Sequence, residues 1–340
     1  MKKRSSIVYF ISPLLVALTL FPGFQGKLSA QLANFGLQAS QLSVTLIPET
    51  PGPNESVSIE AESFIVDLNA ANISWTVNGK VERRGVGEKR LVITTGGLGG
   101  VTTVGIYVQP LNGLPFSDTV TIRPALVDLL WEARTYTPSF YRGKALYSQE
   151  SDITVAALPH FVDSNSRTLP RENLIYQWSN NGTVLGGVSG YGRGSFTFTG
   201  SLFEKREVVA VEVQSTDGRF RAKKSITITP VSPRIVFYEN HPLFGPLYNQ
   251  AVGNEFALKN KEVSVLAVPY FFSAAERGDP QLEFQWSLNS NPAQSQDERD
   301  TITLRQEDEA RGKSQISLSV QNISRLLQSD KKDFFVSFGQ

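Results

Sequence analysis

The sequence predicts an all-β protein made of three β-sandwich modules in tandem. A short segment of alternating apolar and polar residues with a tryptophan inside it occurs three times, around Trp75, Trp178 and Trp286. Each copy is followed by Asn or Gly, which are typical of tight turns. Alternation places each tryptophan on one face of a strand, where it is expected to anchor the core of one sandwich. A length of 340 residues accommodates three modules of about 100 residues each.

The first 30 residues have the pattern of a secretory signal peptide. A basic head at residues 2–4 precedes an apolar run of 15 residues, 7–21, and small residues at 28–30 offer a cleavage site. The alternative is an uncleaved membrane anchor, although the run is shorter than the roughly 20 residues that span a bilayer. Cleavage would remove four cations and no acids, which lowers the formal net charge from +1 to −3.

Composition narrows the function classes. The chain has no cysteine, so we expect neither disulfides nor thiolate metal sites, and each module must be stable through packing alone. A net charge of +1 without clusters of Lys and Arg argues against a nucleic-acid partner.

Domain boundaries follow from the turn signals and the repeats. We predict a polar linker at 31–41 and modules at 42–124, 125–230 and 231–340. The second and third modules have the closer similarity. Their matched positions are Ile153, Val155 and Ala157 with Val263, Val265 and Ala267, and Trp131-Glu132 with Tyr238-Glu239.

The third module is predicted to lack its final strand. The first two modules each end in a pair of strands, whereas residues 334–338 match the first strand of such a pair and no sequence remains for the second. Three explanations stay open. The chain is a truncated product, preceding loops cover the gap, or a partner donates the strand.

No catalytic, cofactor or metal site is predicted, so we expect no enzymatic activity. The two histidines, His160 and His241, have no co-ligands at metal-binding spacing, and no Gly-x-Ser-x-Gly motif occurs. The acidic runs 297–300 and 307–309 lack the spacing of an EF-hand. The glycine-rich stretch 96–100 lacks the Lys and the following helix of a phosphate-binding loop, and a corner between strands is expected there.

Aromatic residues at the starts of the second and third modules are the candidate interaction surface. A glycan- or peptide-binding platform is one interpretation, and packing at the junction between modules is the other. The candidate residues are Trp131, Tyr141, Tyr238 and Tyr248, together with Phe335 near the C-terminus.

The segment Tyr-Gln-Trp-Ser-Asn-Asn-Gly at 176–182 resembles bacterial tandem immunoglobulin-like and PKD-like repeat proteins. The module starts also resemble exported bacterial proteins to which no activity is attached. The resemblance implies immunoglobulin-like sandwiches in an exported, non-enzymatic scaffold or adhesion-type protein, located in the periplasm, on the cell surface or outside the cell.

A protein or glycan partner is expected for such a scaffold, with membrane contact only through an uncleaved N-terminal segment. The alternatives are a carbohydrate-binding accessory module, or a surface-appendage subunit that uses strand addition at the incomplete last module.

Overall fold

The computed structural model describes residues 42–258, 261–293, 298–306 and 311–339. The predicted signal peptide and linker, and the acidic run 307–309, lie outside these ranges. Within them the chain is almost entirely β-strand, with two short 3₁₀ helices, Arg171–Asn173 and Gly186–Val188. The predicted all-β fold is confirmed.

The first sandwich packs a three-stranded sheet, in the order β1-β2-β5, on a four-stranded sheet, β4-β3-β6-β7. In β2, Val57, Ile59 and Ala61 alternate with polar residues and all three are buried, as the period of a strand requires. The strands are β1 (Ser43–Ile47), β2 (Ser56–Glu62), β3 (Asn72–Val77), β4 (Lys80–Val86), β5 (Arg90–Thr94), β6 (Thr102–Gln109) and β7 (Phe116–Ile122). The glycine-rich stretch 96–100 is the loop between β5 and β6.

The second sandwich has the same plan. One sheet has the order β13-β9-β8, and the other has the order β11-β10-β14-β15, with β12 paired to β10. The strands are β8 (Leu126–Ala133), β9 (Asp152–His160), β10 (Leu174–Asn180), β11 (Thr183–Val184), β12 (Gly190–Tyr191), β13 (Ser195–Thr199), β14 (Glu207–Ser215) and β15 (Arg221–Ile228).

The third sandwich has two larger sheets, in the orders β17-β16-β19-β22 and β18-β24-β23-β20-β21. The strands are β16 (Arg234–His241), β17 (Gly245–Ala251), β18 (Glu255–Ala257), β19 (Glu262–Tyr270), β20 (Leu282–Leu288), β21 (Asn291–Ala293), β22 (Thr301–Arg305), β23 (Gly312–Asn322) and β24 (Ser329–Phe338).

The prediction that the last module lacks its final strand is wrong. Trp178 lies opposite Val211 on β14, and its counterpart Trp286 lies opposite Leu318 on β23. The strand equivalent to β14 is therefore the serine-rich β23, and the phenylalanine-rich β24 is the final strand itself. The outer edge of β24 pairs in parallel with β18 of the same chain at residues 335–337. The third module therefore has its final strand, and no missing strand has to be supplied by a partner.

Three clusters of buried apolar side chains fill the sandwiches, and each cluster falls within one of the predicted stretches 42–124, 125–230 and 231–340. On this basis we propose that the three stretches are three domains.

The three tryptophans lie in these cores and make the same hydrogen bond. The indole N–H of Trp75 donates to the carbonyl of Glu88 at 2.6 Å, that of Trp178 to Arg193 at 2.8 Å, and that of Trp286 to Arg299 at 3.0 Å. Each acceptor lies two residues before the strand at the open edge of the opposite sheet, namely β5, β13 or β22. The indole therefore fixes one sheet against the other while its only polar group stays satisfied.

An asparagine three residues after each tryptophan forms the tight turn that the sequence predicts. Asn78, Asn181 and Asn289 have φ of 50°, 49° and 49°, in the left-handed region that asparagine tolerates. Each side-chain Oδ1 accepts the backbone N–H of the neighbouring long strand, from Thr103, Val208 and Gln315 respectively, at 2.8–2.9 Å.

Candidate functional site: the interface between the second and third modules

The loop between β8 and β9, residues 134–151, packs on the third module. Its backbone joins the end of β19 directly. The Tyr136 N–H donates to the Phe272 carbonyl at 2.7 Å, and the Phe271 N–H donates to the Tyr136 carbonyl at 2.9 Å. The Ser148 hydroxyl donates to the Phe271 carbonyl at 2.7 Å. We call residues 134–151 the receiving loop of the second module.

A cluster of aromatic and aliphatic side chains fills this interface. Tyr238, Leu266, Val268, Tyr270 and Phe271 are buried on the outer face of the β16-β19 sheet, and the cluster is completed by partly buried neighbours: Tyr136, Tyr141, Leu146, Val231 and Val236. Burial of large apolar side chains contributes roughly 1.5–3 kcal/mol each, so the cluster is a substantial contact between the modules.

The rings meet at their edges. The Tyr141 ring lies 6.1 Å from that of Tyr270 and 5.8 Å from that of Phe271, with interplanar angles of 69° and 79°. Tyr248 on β17 lies 4.3 Å from the ring of Phe140 in the receiving loop and 5.2 Å from Tyr238. Edge-to-face and tilted pairs of this kind are favourable beyond their buried area.

Polar groups inside the interface have partners. The Tyr238 and Tyr270 hydroxyls lie 3.0 Å apart. Burial raises the pKa of Tyr270, and its hydrogen bond to Tyr238 raises it further. The Tyr270 hydroxyl therefore stays neutral throughout the physiological pH range.

The last hairpin loop of the third module, residues 323–328, closes the other side of the interface. The Leu327 N–H donates to Glu150 Oε2 at 2.9 Å, and the fully buried Gln328 donates from Nε2 to the Gln149 carbonyl at 2.8 Å. Gln328 Oε1 also accepts the Ser273 N–H at 2.7 Å. One buried amide thus connects both modules.

A cleft of about 670 Å³ opens beside the interface and is lined by Tyr136, Arg277, Glu298 and Asp300, among others. The Arg277 guanidinium pairs with the buried carboxylate of Asp300 and, at 3.0 Å, with that of Glu298. Arg277 is therefore committed to these two acids within the protein, and a second cation, Arg299, also lines the cleft.

The interface between the first and second modules uses the corresponding end of the later module. The loop after β9 lies so close to the glycine-rich corner that a Cβ on Gly99 would be 2.9 Å from the Asp163 carbonyl oxygen. At the other side, Arg221 pairs with Glu49 in the loop after β1 at 3.3 Å, and both side chains are exposed. An exposed pair of this kind contributes little to the stability of the interface.

Tyr141, Tyr238 and Tyr248 lie at the interface between modules, which corresponds to the second of the two sequence interpretations. Trp131 lies elsewhere. It is opposite Val155, on the face of β8 that packs on the core of its own module, and the Lys144 ammonium lies 3.5 Å from its ring centroid. Phe335 lies on β24 and is partly exposed, with the Lys313 ammonium 4.6 Å from its ring.

The sequence match of Trp131 with Tyr238 is wrong in register. Tyr238 lies opposite Leu266, whereas Val265, the counterpart of Val155, lies opposite Glu239. A shift of one residue turns a side chain to the other face of a sheet. Trp131 therefore points into its own core, and Tyr238 points out toward the neighbouring module.

Sequence reasoning missed Phe271, Phe272 and Gln328. A signal for the first two was present, because residues 263–272 are apolar at almost every position and do not alternate. A continuous apolar run is typical of a strand that is covered on both faces. Gln328 had no sequence signal, since its role depends on a hairpin loop that contacts a distant segment.

The remaining candidates for chemistry do not assemble into a site. His160 Nε2 lies 3.1 Å from Asp128 on the surface, and the His241 ring stacks on Phe244 at 4.8 Å. Among the described residues, no group of three or more His, Cys, Asp and Glu could hold a metal ion. No helix in the described ranges is both long and apolar enough to cross a bilayer.

The fold and this interface define an immunoglobulin-like β-sandwich protein with modules in tandem. No protein-family model matches the sequence. No curated protein matches it either.

Solved structures with similar folds include the fibronectin(III)-like modules of Clostridium thermocellum CbhA, at 10% identity and a TM-score of 0.27, covering 55% of this chain and 94% of that one. The three N-terminal domains of the bacteriophage RB49 outer capsid protein Hoc are similar at 12% identity and a TM-score of 0.26, covering 87% and 98%. Sidekick-1 immunoglobulin domains 1–4 follow at 13% identity and a TM-score of 0.24, covering 86% and 73%. No function is transferred from them.

Proposed function

We propose that this protein is an exported, non-enzymatic scaffold whose tandem sandwiches hold interaction surfaces at fixed positions in the cell envelope or outside the cell. The supporting observation is the interface between the second and third modules. Its aromatic cluster, backbone hydrogen bonds and buried Gln328 favour one rigid body over two modules that move independently on a flexible linker.

Binding by an aromatic glycan platform at the module starts is the weaker candidate. Tyr141 is engaged in T-shaped contacts with Tyr270 and Phe271, so its ring is already used in packing within the protein. Strand addition to replace a missing last strand is ruled out, because the final strand β24 is present and pairs with β23.

Export is tested by fractionating cells that express the full chain or a chain without residues 1–30. We expect the full chain in the exported fraction and the shortened chain inside the cell. Retention of the full chain inside the cell would contradict the proposal.

Scaffold rigidity is tested separately by limited proteolysis of the purified protein. We expect the connection between the second and third modules, near residue 231, to resist cleavage, because the Val231 N–H is bonded to the Tyr147 carbonyl at 2.7 Å. Cleavage there as fast as in an unfolded control would contradict a rigid unit.

A further inference from the structure

The two interfaces between modules follow one rule. The later module contributes one of its two ends. This end carries the loop between the second and third long strands and the last hairpin loop of the module, and we call it the docking end. At the second interface this end supplies Phe271 and Leu327, and at the first it supplies Asp163 and Arg221. The earlier module contributes the loop after its first long strand, its receiving loop, and at the first interface also the loop between β5 and β6 that carries Gly99.

The docking end of the first module is uncovered in the described structure. Asn72, at the start of β3, pairs with Gln109, at the end of β6, so the loops 63–71 and 110–115 leave the sandwich at the same end. Four large apolar side chains on these loops are strongly exposed: Phe64 (94%), Ile65 (65%), Leu111 (79%) and Leu114 (86%).

These exposures are unusual as a group. A single exposed leucine is ordinary, but four large apolar residues at the tips of two adjacent loops indicate a contact surface. The two loops contain one charged residue, Asp67, so little charge would have to be desolvated when the end is covered.

The turn at the start of the third module's receiving loop, residues 242–244, is apolar and uncovered in the described structure. The loop then continues as β17, where Tyr248 packs on Phe140 of the second module. In the second module the receiving loop is packed against the following module, whereas Leu243 and Phe244 in the third are 83% and 77% exposed.

We propose that copies of this chain associate head to tail, with the docking end of the first module of one copy on the receiving loop of the third module of the next. A second copy is the favoured occupant because the contact would continue the interface that the chain already builds twice. Such a contact joins two different surfaces, so each copy can bind a further copy at either end and assembly proceeds by successive addition. The proposal goes beyond the scaffold function and stands or falls independently of export.

Two double variants separate the two surfaces. The first, Phe64→Ser with Leu114→Ser, alters the docking end, and the second, Leu243→Ser with Phe244→Ser, alters the receiving loop. Sedimentation velocity of the full chain over a range of concentrations is expected to show a growing series of oligomers. Each double variant is expected to raise the concentration for half-assembly by roughly tenfold or more, because it removes two large apolar contacts.

Mixing the two variants gives the sharpest result. The docking-end variant keeps an intact receiving loop, and the receiving-loop variant keeps an intact docking end. Each chain can therefore bind one copy of the other, so we expect a heterodimer and nothing longer. Phe203→Ser, at an equally exposed phenylalanine in the loop between β13 and β14, is the matched control and should assemble as the parent does. Circular dichroism checks folding, and Ile65→Ser with Leu111→Ser replaces the docking variant if that one fails to fold.

Several outcomes would overturn the proposal. One is a parent chain that remains monomeric at all concentrations. Another is a pair of variants that assemble like the parent, or whose mixture contains no heterodimer. Binding of the parent to neutral phosphatidylcholine vesicles through Phe64 and Leu114, without self-association, would assign the docking end to a lipid surface instead.

Discussion

At the scale of single residues, the fold depends on a tryptophan and an asparagine that recur together. Trp75 and Asn78, three residues apart on the same hairpin, show what each does. The indole N–H of Trp75 donates to the Glu88 carbonyl and so connects the two sheets. The Asn78 side chain accepts the Thr103 N–H of the neighbouring strand β6, in the place of a backbone carbonyl. The same pair recurs at 178 and 181, and at 286 and 289.

Substitutions at Asn78 distinguish the effect of backbone strain from the effect of the side-chain hydrogen bond. Asn78→Gly keeps the positive φ but removes the Oδ1 acceptor, whereas Asn78→Ala loses both. We expect the alanine variant to be less stable than the glycine variant by about 1 kcal/mol, the usual cost of the left-handed region for a residue with a Cβ. Urea unfolding followed by circular dichroism measures the difference. Equal stability of the two variants would contradict the role of φ at this position.

The indole hydrogen bond is tested by Trp178→Phe. The smaller ring leaves a cavity and strands the Arg193 carbonyl, so we expect a loss of about 1–3 kcal/mol in the free energy of unfolding. Trp131→Phe is the matched control, because the indole of Trp131 is only partly buried and is expected to cost less. A larger loss at Trp131 than at Trp178 would contradict the anchor role.

At the scale of elements, the interface depends on a strand that is buried on both faces. In β19, Val265 and Ala267 face the module's own core, while Leu266, Val268 and Tyr270 face the neighbouring module. Phe271, at its end, has φ of 64°, which is costly for a bulky residue. Its N–H and its carbonyl both bond to the receiving loop, which compensates for that conformation.

Removing contacts from the receiving loop should loosen the interface without unfolding the modules. For Tyr141→Ala with Leu146→Ala, we expect hydrogen exchange to accelerate by at least about tenfold at the amides of Tyr136 and Phe271. Exchange in β6 of the first module is the internal reference and should not change. Unchanged protection at Tyr136 and Phe271 would show that the side-chain cluster does not hold the interface.

Tyrosine burial makes the second module sensitive to alkaline pH. Burial raises the pKa of Tyr147 from about 10 to about 12, with the nearby carboxylates of Glu207 and Glu150 adding to the rise. Between pH 10 and pH 12 the unfolded chain loses the Tyr147 proton while the folded chain keeps it. The contribution of Tyr147 to the free energy of unfolding is therefore intact below pH 10. Between pH 10 and pH 12 it falls by about 1.4 kcal/mol per pH unit.

Tyr147→Phe removes this dependence. We expect its free energy of unfolding to decrease less steeply than that of the parent between pH 10 and pH 12, with the two curves parallel below pH 10. Denaturant titrations at each pH measure both curves. Identical slopes above pH 10 would show that Tyr147 titrates normally in the folded protein.

The sequence predicted the elements better than their registers. Trp75, Trp178 and Trp286 could be placed on strands because alternation and Asn-containing turns are local signals. The final strand pair was assigned wrongly because Ser-rich β23 is less conspicuous than Phe-rich β24, and only pairing opposite Trp286 distinguishes them. Contacts such as Gln328 with Gln149 join residues far apart in sequence, and no local pattern records them.

At the scale of the whole molecule, the docking end of the first module and the receiving loop of the third resemble the surfaces that meet between the modules. Exposed Phe64 and Leu114 at one end, and Leu243 and Phe244 at the other, have the apolar character of the surfaces that the second interface buries. Burying such side chains in each successive contact would lengthen the array without requiring a new kind of surface.

The contacts between the second and third modules lead us to expect that these modules form one rigid body. Because the chain has no cysteine, Lys224→Cys and Lys331→Cys introduce two unique sites for spin labels, one exposed on each module. Pulsed electron resonance then measures the distance between them. We expect a single narrow distribution that broadens in Tyr141→Ala with Leu146→Ala, whereas a broad distribution in the otherwise unaltered protein would contradict a rigid connection between the two modules.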